Sequence, residues 1–229
     1  MRKIFTLAVM ILTLIVGNNF AFAQSTTPQW IQNLPAAQNA NQIFVVAQLG
    51  GQTTAWVSMH VKDLNGEWQQ IMTTPGFIGK NGLGKEREGD NKTPVGVFKF
   101  DTAFGIAPDP GCQLPYLQID ENFYWSGDWN YNYNKLVDIR NYPYLNTENS
   151  EHLIEYNPHY TYALNMGYNA ECTPGKGSAL FLHCFGPIKT WTGGCVAIPT
   201  EKMKFVLQNV APDCVLVIDS LENLGGSID

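Results

Sequence analysis

Between residues 42 and 219 the apolar residues fall into short runs suited to strands, with turn signals between them. "QIFVVAQL" (42–49), "GVFKFDTAFG" (96–105), "HYTYALNMGY" (159–168), "GSALFLHCF" (177–185) and "CVLVID" (214–219) each read as one strand. "AWVSMHVKDLNGEWQQIM" reads as a hairpin about Asn65-Gly66. One helix is expected, "TEKMKFVLQNV" (200–210), with Met203, Val206, Leu207 and Val210 at helical spacing and Thr200 as its N-cap. A chain of this kind folds as a mostly β sandwich or barrel with few helices.

The segment before these runs has a different character. Arg2 and Lys3 precede thirteen apolar residues, Ile4 to Val16, and Ala21-Phe22-Ala23 has the small-x-small form of a cleavage site. The run is too short to span a bilayer, so residues 1–23 read as a secretory signal peptide, with an uncleaved anchor as the alternative. Residues 24–41, rich in Gln, Asn, Ala and Pro, read as an irregular lead-in, and 42–229 as one domain. An exported protein of the periplasm, cell envelope or extracellular space is expected, with no membrane span once the signal is removed.

Without residues 1–23 the chain holds twelve basic and twenty acidic residues, a net charge of −8. That balance argues against a nucleic-acid partner, which needs clustered cations for phosphate. The five cysteines, Cys112, Cys172, Cys184, Cys195 and Cys214, are an odd number. An exported monomer therefore keeps at least one free thiol. With Cys195 as the odd one, the other four allow three disulfide connectivities. No CxxC or HxxxH spacing points to a metal.

The densest chemistry lies in "HCFGPIKTWTGGCVAIP", from His183 to Pro199. Alternation on the preceding strand sends Leu180, Leu182 and Cys184 to one face and Phe181 and His183 to the other. Eleven residues separate His183 from Cys195, enough for a loop that returns the cysteine to the strand's end. A thiol needs a base to become a good nucleophile, and an imidazole in reach can take its proton and return it to a leaving amine. Thr192, Gly193 and Gly194 form a turn at which the N–H groups of Gly194 and Cys195 are expected to face one oxyanion. Two buried structural residues that merely lie near each other in sequence is the alternative. Upstream, "GFIGKNGLGKEREGDNKTPVGVF" (76–98), with six glycines, reads as a long, tightly turned loop, and "FYWSGDWNYNYNKLVDI" (123–139) as a cleft wall or edge packing.

At these residues the chain resembles the L,D-transpeptidase (YkuD-like) catalytic domain family. A strand histidine, His183, is followed by Thr192-Gly193-Gly194-Cys195. Upstream, Asp90, Thr93, Pro94, Gly96 and Phe98 are similar to an Asp-x-x-Thr-Pro-x-Gly-x-Phe pattern, and "YALNMGYN" with "GKGSALFLHC" to the run into the histidine. The resemblance covers roughly residues 42–219. It implies a single-domain β-sandwich-like fold, with Cys195 as nucleophile and His183 as base and then acid. The implied substrate is the peptidoglycan tetrapeptide stem. A thioester forms with release of D-Ala, and the amine of a second stem resolves it as a 3-3 cross-link. Water as acceptor makes the same site an L,D-carboxypeptidase, and a wall-binding domain without catalysis is a further alternative. A papain-like protease is disfavoured by the order of cysteine and histidine. Neither enzymatic route needs a metal or organic cofactor, and carbapenem-type β-lactams are the implied inhibitors.

Two positions depart from the commoner family pattern. Cys184 stands where Gly follows the histidine, and Ala197 stands where Arg follows the cysteine by two. Arg87, Lys92, Lys176 or Lys189 are candidates to supply a cation in place of that Arg, with solvated surface charges as the alternative. Trp191, Tyr133 and Asn134 are candidate substrate contacts. His60, His152 and His159 read as structural or surface residues.

Overall fold

The computed structural model describes residues 25–51 and 53–228; the signal peptide expected at 1–23 lies outside them. In chain order the strands are β1 (Ser25–Thr26), β2 (Gln42–Gln48), β3 (Thr54–Lys62), β4 (Trp68–Phe77), β5 (Gly96–Lys99), β6 (Ala103–Gly105) and β7 (Tyr116–Gln118). They continue with β8 (Phe123–Trp125), β9 (Leu136–Asp138), β10 (Glu151–His152), β11 (Ala163–Asn165), β12 (Phe181–Cys184), β13 (Val196–Ile198) and β14 (Val215–Ser220). The helices are α1 (Gln29–Gln32) and α2 (Thr200–Asn209). The main sheet runs β5-β14-β2-β3-β4-β13-β12-β11-β6-β7, with β1 added on β4, and β10-β8-β9 form a small second sheet.

The mostly β architecture follows from the short runs. The β3–β4 hairpin forms as expected: Gly66 takes φ 84°, and the Asp63 carboxylate accepts the N–H groups of Asn65 and Glu67. The main sheet curls about one core, in which Phe44, Val46, Val57, Met59, Leu164, Leu182, Val196, Ile198, Leu216 and Ile218 meet under α2. This curl gives the sandwich-like form from a single continuous sheet. Ile43, Val45, Ala47 and Val217 face the other way and pack against Ile31, Leu34, Ala37 and Ala40. The stretch expected as an irregular lead-in therefore holds short helical turns that cover one end of the sheet. Phe104, Ala163, Phe181 and Cys195 on the outer face at the other end are covered by Trp125, Leu153 and Tyr160.

Several expectations change. The run 96–105 is two strands at distant places in the sheet, because the Asp101 carboxylate is held by the Asn165 amide at 2.8 and 3.0 Å and the Asn165 N–H donates to the Thr102 carbonyl. The run 159–168 gives only the three residues of β11, since His159–Thr161 is a 3-10 turn. In α2, Pro199 holds the N-cap position without a side-chain cap, and Thr200 is the first helical residue rather than the cap. All five cysteines carry free thiols: Cys184 and Cys214 are sealed among apolar side chains, so none of the three disulfide connectivities is formed. No helix among the described residues is long and apolar enough to cross a membrane.

His60 on β3 bonds to Thr27 and Ser58, joining the N-terminal cover to the sheet. Burial lowers its pKa from 6.5 to about 3. A depressed pKa contributes stability that is complete above the unfolded value and lost as pH falls toward the folded one. The melting temperature is expected to fall as pH is lowered from about 7 to about 5, and His60→Gln to make that decline shallower. Calorimetric melts at stepped pH check this.

Candidate active site

β12 and β13 are adjacent and parallel, with His183 opposite Ala197 and Leu182 opposite Val196. Side-chain alternation then puts Phe181, His183, Cys195 and Ala197 on one face, while Leu180, Leu182 and Cys184 enter the core. His183 and Cys195 both line one cleft of about 280 Å³. Ala197 and Trp191 line it as well.

The His183 Nδ1 lies 2.8 Å from the Cys184 carbonyl oxygen. A carbonyl only accepts, so Nδ1 carries the proton and the neutral ring keeps Nε2 as its acceptor. Burial lowers the His183 pKa from 6.5 to about 4, with the nearby His159 ring adding to the effect and the Cys184 carbonyl opposing it. The Cys195 thiol donates to the Ala179 carbonyl at 3.3 Å, and its sulfur accepts the Phe181 N–H at 3.3 Å. Burial and the Glu151 carboxylate push the thiol up to about 12, against smaller opposing effects of the Phe181 N–H and Lys85. The ligand-free site therefore holds a neutral thiol and a neutral imidazole. Proton transfer belongs to the moment of attack, the regime in which a general base acts.

The turn before Cys195 is held by the glycine-rich loop. The Thr93 hydroxyl accepts the Gly79 N–H at 2.9 Å and donates to the Gly194 carbonyl at 2.7 Å. Thr192 exchanges backbone bonds with Ile78 and Lys80. Gly194 takes φ 139°, and a Cβ there would lie 2.8 Å from the Lys92 carbonyl oxygen, so this close approach requires glycine. The expected pairing of the Gly194 and Cys195 N–H groups on one oxyanion is not the resting arrangement. The Gly194 N–H donates to Thr192 Oγ1, and the Thr192 hydroxyl donates to the Cys195 carbonyl. Thr192 is thus a turn-holding residue, while the exposed Gly193 lines the cleft.

The other expected contacts divide. Trp191 is in the cleft wall, with the ammonium groups of Lys189 and Lys80 4.8 and 5.2 Å from its ring. Tyr133 and Asn134 are buried and do not line the cleft. Their loop folds inward instead. The Tyr133 hydroxyl donates to Glu88, and Asn134 Oδ1 accepts the Ala179 N–H at 3.1 Å, fixing Ala179 at φ 52° with its carbonyl on the Cys195 thiol. They position the site rather than contact a ligand. Arg87 is exposed and Lys92 half-buried, and both meet the site only through backbone groups, so neither supplies the cation expected there.

Lys85, Glu88, Glu151, His159 and Tyr160 line the cleft without having been legible as site residues. The Tyr160 hydroxyl donates to Glu151 at 2.7 Å. Burial raises the Glu151 carboxyl to about 7, with Glu88 adding to the rise and the Tyr160 bond opposing it. Glu88, Glu151, Ser178 and Ala179 also wall a second cavity of about 730 Å³, which continues the cleft toward Trp129 and Asn146. Among the described residues no group of three or more His, Cys, Asp or Glu is arranged to hold a metal ion.

Asp90 is the anchor of the glycine-rich loop. Burial alone would raise its pKa, but the Lys85 ammonium at 2.8 Å and the N–H groups of Glu86, Arg87 and Lys92 hold the carboxyl well below the usual range. The ion pair is nearly sealed, with side-chain exposures of 2 % for Lys85 and 8 % for Asp90. Asp90→Asn leaves the lysine without its counter-charge and is expected to cost about 3 kcal/mol of stability. Denaturant titration of the variant beside the parent measures it.

Among curated proteins no sequence match to the chain is found. Among solved structures, the crystal structure of the helical cell shape determining protein Pgp2 from Campylobacter jejuni is similar at 15% identity and a TM-score of 0.41; the match covers 79% of this chain and 48% of that one. This chain thus spans about half the length of that protein's. The L,D-transpeptidase catalytic domain profile (YkuD) matches residues 44–218, from the first long strand through the last. Both β12 and β13, the loop between them and the glycine-rich clamp fall inside those residues, and the chain belongs to the L,D-transpeptidase catalytic domain family.

Proposed function

We propose that the protein is an exported cysteine L,D-transpeptidase of the cell envelope, with Cys195 as nucleophile and His183 as general base and then acid. The observation that carries this reading is the shared cleft: His183 on β12 and Cys195, in the turn that leads into the parallel β13, both open into it, and the Nδ1–H of His183 is committed to a backbone carbonyl. Nε2 takes the thiol proton as sulfur attacks the carbonyl of the third stem residue. The tetrahedral intermediate collapses with cleavage of the C–N bond. His183 returns the proton to the departing amine of D-Ala, and a thioester remains on Cys195. In the second half an amine of another stem, deprotonated by His183, attacks the thioester. An amide forms, the sulfur leaves, and the product is a 3-3 cross-link. Water in place of that amine makes the enzyme an L,D-carboxypeptidase.

Purified residues 24–229, incubated with a carbapenem, are expected to gain the mass of one drug molecule, and Cys195→Ala to gain none. An adduct on the variant, or none on a parent with a free thiol at Cys195, counts against the assignment. Muropeptide products then separate cross-linking from trimming.

The protonation states give a second expectation. With Cys195 near 12 and His183 near 4, the thiolate fraction of the free protein keeps rising through neutral and mildly alkaline pH while the imidazole stays neutral. The rate of Cys195 alkylation by iodoacetamide is expected to climb roughly tenfold per pH unit between about 7 and 10, without a plateau. A plateau beginning near neutrality would mark a resting thiolate–imidazolium pair instead.

A further inference from the structure

The end of the cleft away from the larger cavity is built differently from the rest. His159 stands on its 3-10 turn with its ring 5.5 Å from that of His183 and nearly perpendicular to it, at 83°. The ring is seated over Gly186, where a Cβ would fall 2.0 Å from its Cε1. Its Nδ1 is closed off from solvent and has no hydrogen-bond partner, an uncommon state for a buried polar atom. Opposite His183 on β13 is Ala197, whose methyl group leaves that wall open. Lys189 also lines the cleft, three residues after Gly186 on the same loop. The carboxylates of the cleft, Glu88 and Glu151, lie on the other side, where it joins the larger cavity.

We propose that His159 is a specificity-determining residue that, together with Lys189, holds the free terminal carboxylate of the stem. The inference rests on the reading of Cys195 and His183 given above and adds the direction in which the substrate lies. In that reaction His183 Nε2 delivers a proton to the amine of the departing D-amino acid. A single carbon separates that nitrogen from the terminal carboxylate, so the carboxylate must sit a few ångströms from the His183 ring. With Nδ1 closed off, Nε2 is the donor left to His159, and it and the Lys189 ammonium are the cleft's donors here; among the described residues the acidic ones that line the cleft, Glu88 and Glu151, are those shared with the larger cavity. The remainder of the stem then runs past Cys195 toward Glu151 and the larger cavity. A group bound this way selects stems that end in a free carboxylate, because an amide terminus forfeits the charge-assisted bond.

The test compares release of D-Ala from a tetrapeptide stem with release of D-alaninamide from the same stem amidated at its terminus. The parent is expected to favour the free carboxylate by about tenfold or more in kcat/KM, expressed mainly in KM. His159→Gln is expected to bring that preference close to parity, and Lys189→Met, at an exposed position, to lower it a few-fold. Iodoacetamide alkylation of Cys195 reports whether each variant keeps the site assembled. A parent that turns over both stems equally, or variants that keep the full preference, overturns the role of His159 and leaves the catalytic pair standing. A parent that releases neither product overturns both.

Discussion

The buried hydroxyl of Thr93 is the joint on which the site depends. It takes a hydrogen bond from Gly79 and gives one to the Gly194 carbonyl, tying the glycine-rich loop to the turn that presents Cys195. The two segments are about a hundred residues apart in the chain, so neither conformation is stable by local preference alone. Asp90 makes the loop a rigid body by collecting one ammonium and three backbone N–H groups on a single carboxylate. Gly79 and Gly194 then permit backbone to approach backbone without a Cβ between them. The sulfur itself is fixed last, by the Ala179 carbonyl and the Phe181 N–H.

The sequence made the scaffold of this arrangement readable because the scaffold obeys local periodicity. The two-residue alternation of 180–184 correctly divides Leu182 and Cys184 from Phe181 and His183, and the helical spacing of Met203, Val206 and Leu207 marks the core face of α2. The Asn-Gly turn announces the β3–β4 hairpin. What periodicity does not carry is the pairing of polar groups across the fold. The Asp101–Asn165 contact cuts one apparent strand into two. Asn134 turns from an expected ligand contact into a brace for Ala179 because its amide meets three backbone groups that only the folded chain assembles. Glu151 and His159 enter the cleft from segments without a motif, and only tertiary packing brings them there.

Burial sets the character of the chemistry. A thiol held near 12 in one cleft with an imidazole held near 4 does not form an ion pair at rest, so the sulfur is a weak nucleophile until a base takes its proton. Glu151 strengthens this, since its negative charge opposes a second one on the sulfur. The Cys184 carbonyl that holds the imidazole is itself part of β12, so the tautomer is set by the sheet rather than by a mobile side chain.

The parallel pairing of β12 with β13 has a consequence for how such a site can vary. The separation of imidazole and thiol is set by the ladder, which joins His183 to Ala197 and Leu182 to Val196, and not by the residues strung between them. That intervening loop is exposed at its crest, where Ile188 is 87% open to solvent. Its length and composition are therefore uncoupled from the spacing of His183 and Cys195. Residues can be added or exchanged at the crest, changing what the mouth of the cleft admits, while the imidazole and the thiol keep their spacing.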